Sequence, residues 1–336
     1  MRCFWDERQR AHAPMVEFFN GALHPAAEHP GRVDAILSAI GPTEPISDRG
    51  IDPLLRVHSP DYLAFLQTAH TEWREAGREG DALPYAFPVV RRRPLTFDRI
   101  DAKLGQYSFD TSSPIGPDTW LSSYWGAQTA LAALDAVQDG GNAFAFCRPP
   151  GHHAGRDYLG GYSYINNAAV VAAEAIAQGR RSVAILDIDY HHGNGTQDIF
   201  YDRADIRFAS IHADPRTDYP FFWGHADEAG EGAGQGANLN LPLPRGTEFD
   251  AYDVALCTAL EWLGQGDPEL LIVSFGADTW QGDPISHFAL TTANYAALAK
   301  RIAGLGLSTV IVMEGGYAVE ARGDNVVSFL GGFNSV

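Results

Sequence analysis

Four short apolar runs, AFAF at 143–146, VAILDI at 183–188, LLIVSF at 270–275 and TVIVM at 309–313, show almost no alternation between polar and apolar residues. A strand with one wet face alternates with period two, so runs of this kind read as strands covered on both faces. Around them apolar residues recur at helical spacing over 125–138, 166–179, 249–264 and 291–304. Strands alternating with helices predict an α/β fold, a parallel sheet between two helical layers. At 336 residues the chain still fits one such unit, because helix-flanked sheets run past about 250 residues as single domains.

The residues able to do chemistry fall just past the carboxyl ends of these strands. His152 and His153, in PPGHHAG (149–155), follow the first, and Asp187, Asp189 and His191, in DIDYHHGNG (187–195), close the second. Asp278, in GADTW (276–280), follows the third, and Tyr317, in EGGY (314–317), the fourth. Each motif alone has a plainer explanation, since Asp, His and Tyr all serve in turns and caps. Ligands of open parallel sheets bind beyond the carboxyl ends of the strands, so the shared placement predicts a single site.

Asp189 and His191 are two residues apart, which in an extended segment points both side chains to one face. With Asp278 they make two carboxylates and one imidazole with a position left open, a set suited to a catalytic Zn²⁺. His152 and His153, held between prolines and glycines, suit proton transfer near neutral pH. The Tyr317 phenol suits hydrogen bonding to an oxyanion. Asn166 and Asn167 are expected to cap the helix that follows them.

Composition narrows the function. Twenty-four basic against 42 acidic side chains leave a net charge of -18, which disfavours nucleic acid and anionic membranes and draws in cations. Nothing approaches the run of about 18 apolar residues that a spanning helix needs, and the first 14 residues lack the apolar stretch of a secretory signal, so cytoplasmic residence is expected. Cys3, Cys147 and Cys257 are too few and too scattered for a disulfide framework or a CxxC site. Residues 74–118, rich in Pro, Gly and charge, are expected to form a long loop inserted in a single 1–336 domain, with Arg91, Arg92 and Arg93 as surface or interface residues.

The segments RPPGHHAG, GGYSYINNAA, ILDIDYHHGNGTQ, GADT and EGGY resemble the histone deacetylase superfamily, over nearly the whole chain. The FFNGALHPAAEHPGR segment, the RPP opening, the insert and GNGTQDIFY are most similar to bacterial acetylpolyamine amidohydrolases. The resemblance implies the arginase/deacetylase fold with a central eight-stranded parallel sheet, and one Zn²⁺ per chain on Asp189, His191 and Asp278. It makes His153 the general base and then acid, His152 its electrostatic partner bonded towards Asp187, and Tyr317 the donor that polarises the carbonyl. Gly161 and Tyr162 on one side and Phe222 on the other become the walls of a tunnel for an alkyl chain. Structural K⁺ is implied at Asp187, Asp189, His191, Ser210 and Ile211, with a second ion at Phe200, Arg203 and Ile206. Class I deacetylases carry an aspartate where this chain has Asn194, so His153 is expected to be less basic here.

By the same resemblance, the insert builds a homodimer interface that narrows the mouth of the tunnel. Glu17, with Asp101 and Asp110 of the insert, then becomes a candidate to receive the distal ammonium of a small cationic acetylated amine. The expected reaction is hydrolysis of N-acetylated polyamines to acetate and free amine. The alternatives are a class II type lysine deacylase, a two-metal manganese ureohydrolase and a non-catalytic binding protein.

Overall fold

The computed structural model describes residues 1–88, 95–318 and 321–333. Its strands are β1 (Arg2–Phe4), β2 (Val16–Phe19), β3 (Ala22–Pro25), β4 (Asn142–Ala145), β5 (Val183–Asp187), β6 (Ile206–Ala213), β7 (Asn238–Leu243), β8 (Leu270–Phe275) and β9 (Thr309–Met313). The helices are α1 (Gly31–Ile40), α2 (Asp52–Leu55), α3 (Pro60–Glu75), α4 (Ile100–Gln106), α5 (Thr119–Ala136), α6 (Asn167–Ala177), α7 (Asn194–Phe200), α8 (Phe249–Gly264), α9 (Thr292–Ala303) and α10 (Arg322–Phe333). Seven strands make one sheet in the order β1-β4-β9-β8-β5-β6-β7, while β2 and β3 form a separate antiparallel hairpin. All pairings in the large sheet are parallel.

The four apolar runs become β4, β5, β8 and β9, neighbours in the middle of the sheet. Every residue of β5, β8 and β9 is buried, as the lack of alternation requires. Period two reappears as a division between two cores. Ile185, Ile272, Val310 and Val312 face Leu131 and Leu134 of α5 and Val170 and Val171 of α6. Leu186, Leu271, Val273, Ile311 and Met313 face the other way, onto Leu256 of α8, Leu298 of α9 and Phe329 of α10. Successive residues of a strand point to opposite faces, so one apolar run serves both layers.

The expectation of eight strands is corrected to seven among the described residues. At one edge β1 is only three residues long and meets a single further parallel bridge, Phe4 to Glu44, and at the other β7 is largely half-buried. The insert is also less irregular than its composition suggests. Helix α3 runs on to Glu75, and Ile100 and Leu104 of α4 are buried in the α5–α6 core. Arg91, Arg92 and Arg93 lie outside the described residues. No helix among the described residues is long and apolar enough to cross a membrane.

Ile272 lies at the centre of β8 with 0% exposure. Its replacement by Ala removes packing from a site closed on all sides and should cost about 2–5 kcal/mol of stability, read as a lower denaturant midpoint.

Candidate metal centre and active-site cavity

The parallel order places the ends of β4, β9, β8 and β5 side by side, so the four motifs that follow them converge. Asp189, His191 and Asp278 each present a ligand atom within 4.8 Å of the others. His191 Nδ1 lies 3.3 Å from Asp189 Oδ1 and 3.2 Å from Asp278 Oδ2. The loops donate backbone amides to the same oxygens: Gly315 N to Asp189 Oδ2 at 2.8 Å and Tyr190 N to Asp278 Oδ1 at 2.9 Å. Glycine is required at two positions of this cradle, because a Cβ on Gly276 would stand 2.2 Å from Asp189 Oδ2, and one on Gly315 2.5 Å from both carboxylates.

The three residues fit a divalent cation. Asp278 Oδ2 is buried and accepts no hydrogen bond from the described residues. Burial and the Asp189 charge push the Asp278 carboxyl up to about 7. Despite its burial, His191 is raised to about 10 by the same two carboxylates. So much negative charge held around one open point is the environment in which a bound cation replaces protons.

His152 and His153 occupy adjacent roles set by different partners. His152 Nδ1 bonds Asp187 Oδ2 at 3.0 Å, and although burial alone would lower it, Asp187 and Asp189 raise it to about 10. His153 Nδ1 donates to Asn194 Oδ1 at 2.7 Å, leaving Nε2 as the free lone pair. Burial, together with the charges of His152 and His191, holds His153 well below its ordinary value, in line with an uncharged partner at Asn194. Tyr317 is buried and keeps its proton, its pKa pushed far up by desolvation. Its turn is fixed by carbonyl bonds from Arg32 to Glu314 and Gly316 and by Asp283, which accepts from Tyr317 N at 2.6 Å and Ala318 N at 3.1 Å.

A cavity of about 420 Å³ opens onto these groups, bounded by Glu17, Asp110, Ser112, His152, His153, Gly161, Tyr162, His191, Tyr219, Phe222 and Tyr317, among others. Tyr162 lies edge-on to Tyr317 at 5.5 Å. Phe222 borders the same cavity at its mouth, its ring 79% exposed. Deeper in, Tyr219 packs edge-on to His153 at 5.2 Å and to His191 at 6.1 Å. The segment Tyr219–Trp223 contains four aromatic rings, and sequence alone does not say which of them turns inward.

Glu17, on β2, is 3% exposed, and its Oε2 accepts no hydrogen bond from the described residues. Burial lifts it to about 7, only partly offset by the Tyr162 hydroxyl and the Ala27 amide. Asp101 does not reach this cavity. Its carboxylate is ion-paired with Arg78 and Arg99 and lines a separate hollow with Glu72, Glu75 and Asp98. Asp187 faces Ser210 across the β5–β6 register, with Ile211 next on β6. Phe200 and Arg203 bound the turn that leads to Ile206 at the start of β6. Asn166 caps α6 as expected, accepting from Ala169 N at 2.9 Å.

Fold and site together define a hydrolytic deacetylase. The chain belongs to the Histone deacetylase domain family, which residues 26–332 match. It is 47% identical to acetylpolyamine amidohydrolase 1 of Pseudomonas aeruginosa, over 99% of both chains. It is 41% identical to the acetylpolyamine amidohydrolase of Mycoplana ramosa, again over 99% of each. The crystal structure of an acetylpolyamine aminohydrolase from Burkholderia pseudomallei superimposes with a TM-score of 0.94 at 40% identity, covering 100% of this chain and 99% of the other.

Chelator-stripped protein titrated with Zn²⁺ should bind one ion per chain and gain thermal stability, and Asp278→Ala should abolish both effects. Uptake of two ions would instead indicate a dinuclear ureohydrolase centre, and no uptake a binding protein.

Proposed function

We propose that this chain hydrolyses the acetyl amide of N-acetylated polyamines, releasing acetate and a free amine. The observation that carries the reading is Glu17, a buried carboxylate with an unpartnered oxygen on an aromatic cavity that ends at the catalytic histidines. A carboxylate oxygen left without a partner inside a protein is costly, and a cationic substrate supplies the missing one. The full-length similarity to acetylpolyamine amidohydrolases supports the same substrate class. Tyr162 and Tyr219 border a passage suited to a slender methylene chain running from the acetyl group to the ammonium.

Asp189, His191 and Asp278 would hold one Zn²⁺, which when bound supplies Lewis acidity to the amide carbonyl and to the attacking water. The protein's own groups then divide the work. His153 is neutral, with Nδ1–H committed to Asn194, so Nε2 is free to take the proton of the attacking water and return it to the leaving amine. Charged His152, anchored on Asp187, stabilises negative charge developing beside it. The protonated Tyr317 donates a hydrogen bond to the carbonyl oxygen as it becomes an oxyanion.

Structural K⁺ would be held by Asp187, Asp189, His191, Ser210 and Ile211, and a second ion by carbonyls of Phe200, Arg203 and Ile206. That part of the proposal follows the family resemblance, and the packing of β5 beside β6 supports it. A homodimer is proposed on the same footing. Met15 and Leu23 on the hairpin segment, with Tyr85, Phe87 and Leu95 of the insert, expose apolar side chains that an interface would cover.

Tyr317→Phe removes one oxyanion donor and should lower kcat by about 10²-fold while KM changes little. Unchanged turnover would remove Tyr317 from the chemistry. Glu17 binds an ammonium only when ionised, so KM for N-acetylputrescine should fall as pH rises through about 7. In Glu17→Gln, KM should be higher and that step absent. Acetylated polyamines should also outrank acetyl-lysine peptides in kcat/KM, and the reverse order would favour a class II type lysine deacylase.

A further inference from the structure

We infer that Asp110 is a positioning residue, a strut from the insert that sets the spacing between the Gly161–Tyr162 wall and the Tyr219 wall. The inference deepens the proposed function, since it concerns the shape of the same cavity. Asp110 Oδ2 accepts from Gly161 N at 2.8 Å, Tyr219 Oη at 2.7 Å and Ser112 Oγ at 2.8 Å, while Oδ1 accepts from Ser112 N at 3.1 Å. Ser113 Oγ adds a bond from Tyr162 N at 2.8 Å. The two walls are distant in sequence, and this carboxylate bonds both, beside Phe109, which stacks on Tyr219 at 5.9 Å and donates its amide to Leu159 at 3.1 Å.

What it holds needs holding. Gly161 and Tyr162 have φ of 54° and 63°. The left-handed region crowds a Cβ against the backbone, so Tyr162 stays there only because its surroundings enforce it. The Gly161 backbone is seated on the His153 ring so closely that a Cβ would lie 2.2 Å from Cδ2. On another side, the Tyr219 ring meets His153 at 84°. The imidazole is therefore flanked by two pieces of chain that share Asp110. Both oxygens of Asp110 already accept hydrogen bonds, whereas Glu17 Oε2 accepts none from the described residues.

The strut makes width a property of one hydrogen-bonded unit, and width selects against branching of the substrate chain. The test compares kcat/KM for N-acetylputrescine and its chain-methylated analogue, using metal-loaded wild type, Y219F, D110N, D110A and the D110A/Y219F double variant. Amide hydrogen exchange at Ser112, Gly161 and Tyr162 is followed in parallel. Y219F keeps the ring and loses only the hydroxyl, so it reports even where D110A folds poorly. The preference for the unbranched substrate should fall about tenfold in Y219F and at least as far in D110A. D110N, with one acceptor oxygen left, should keep part of the preference that D110A loses. The double variant should fall no further than D110A, because both changes cut the same bond. Exchange at Gly161 should quicken by tenfold or more in D110A.

An unchanged preference in Y219F, or effects that multiply in the double variant, would overturn the strut. So would unchanged exchange at Gly161 in D110A. Wild-type protein inactive on N-acetylputrescine would refute the polyamine reading instead, and the exchange measurements would then decide the strut alone.

Discussion

Four carboxylates with 0% exposure, Asp187, Asp189, Asp278 and Glu314, meet at the carboxyl end of the sheet, and much of the architecture exists to make that tolerable. Burial raises Glu314 to about 7, against the pull of charged His152 and the Gly151 amide. Its Oε2 accepts from the backbone of Gly151 and His152, which ties the histidine loop after β4 to the loop after β9. Asp189 accepts from Gly315 and Asp278 from Tyr190, so each of these two acids is held by the loop of another central strand. The parallel order of the four central strands is what brings those amides within reach, and the glycines at 276 and 315 keep Cβ atoms out of the way.

A second buried charge cluster fastens the outer segments to this centre. Arg148 forks onto both oxygens of Glu28 and bonds the carbonyls of Gln9 and His12. Arg32 bonds the same Glu28 and the carbonyls of the tyrosine turn. Burial alone would raise Glu28, but the two guanidiniums hold it down at about 2, so it stays ionised throughout the physiological range. Removing one member would strand a buried charge, which is far costlier than losing a surface pair. Tyr317 therefore depends on residues nearly three hundred positions away, and on Asp283, whose ordinary setting in QGDP gives no sign of that duty.

The centre of the fold was legible because its strands are covered on both faces and carry no alternation to confuse them: β8 and β9 match their predicted limits to the residue. β6 escaped notice because Arg207, Ser210 and His212 interrupt its apolar run, and β7 because it is a half-buried edge. That the candidate metal ligands meet His152, His153 and Tyr317 at one cavity was legible from their position after strands. The wall at Tyr219 was not. Phe221 has φ of 62°, which turns the chain between Tyr219 and Phe222 and sends their rings to different places, and no spacing rule gives that turn. The partners of Asp101 were equally hidden, since Arg78 lies 23 positions away.

Three carboxylates that look interchangeable in the sequence are thus separated by what surrounds them. Asp101 is neutralised by two arginines, and Asp110 is spent on two walls of the cavity. Glu17 alone of the three retains an unpartnered oxygen among the described residues. A net charge of -18 cannot by itself locate a cation site, because surface acids paired with arginines contribute little field at short range. A carboxylate inside an aromatic pocket is screened far less, so its interaction with an ammonium is correspondingly stronger. On the proposed function, substrate charge is then read at one point, Glu17, while the shape of the passage that leads from it to His153 is set by a different acid, Asp110.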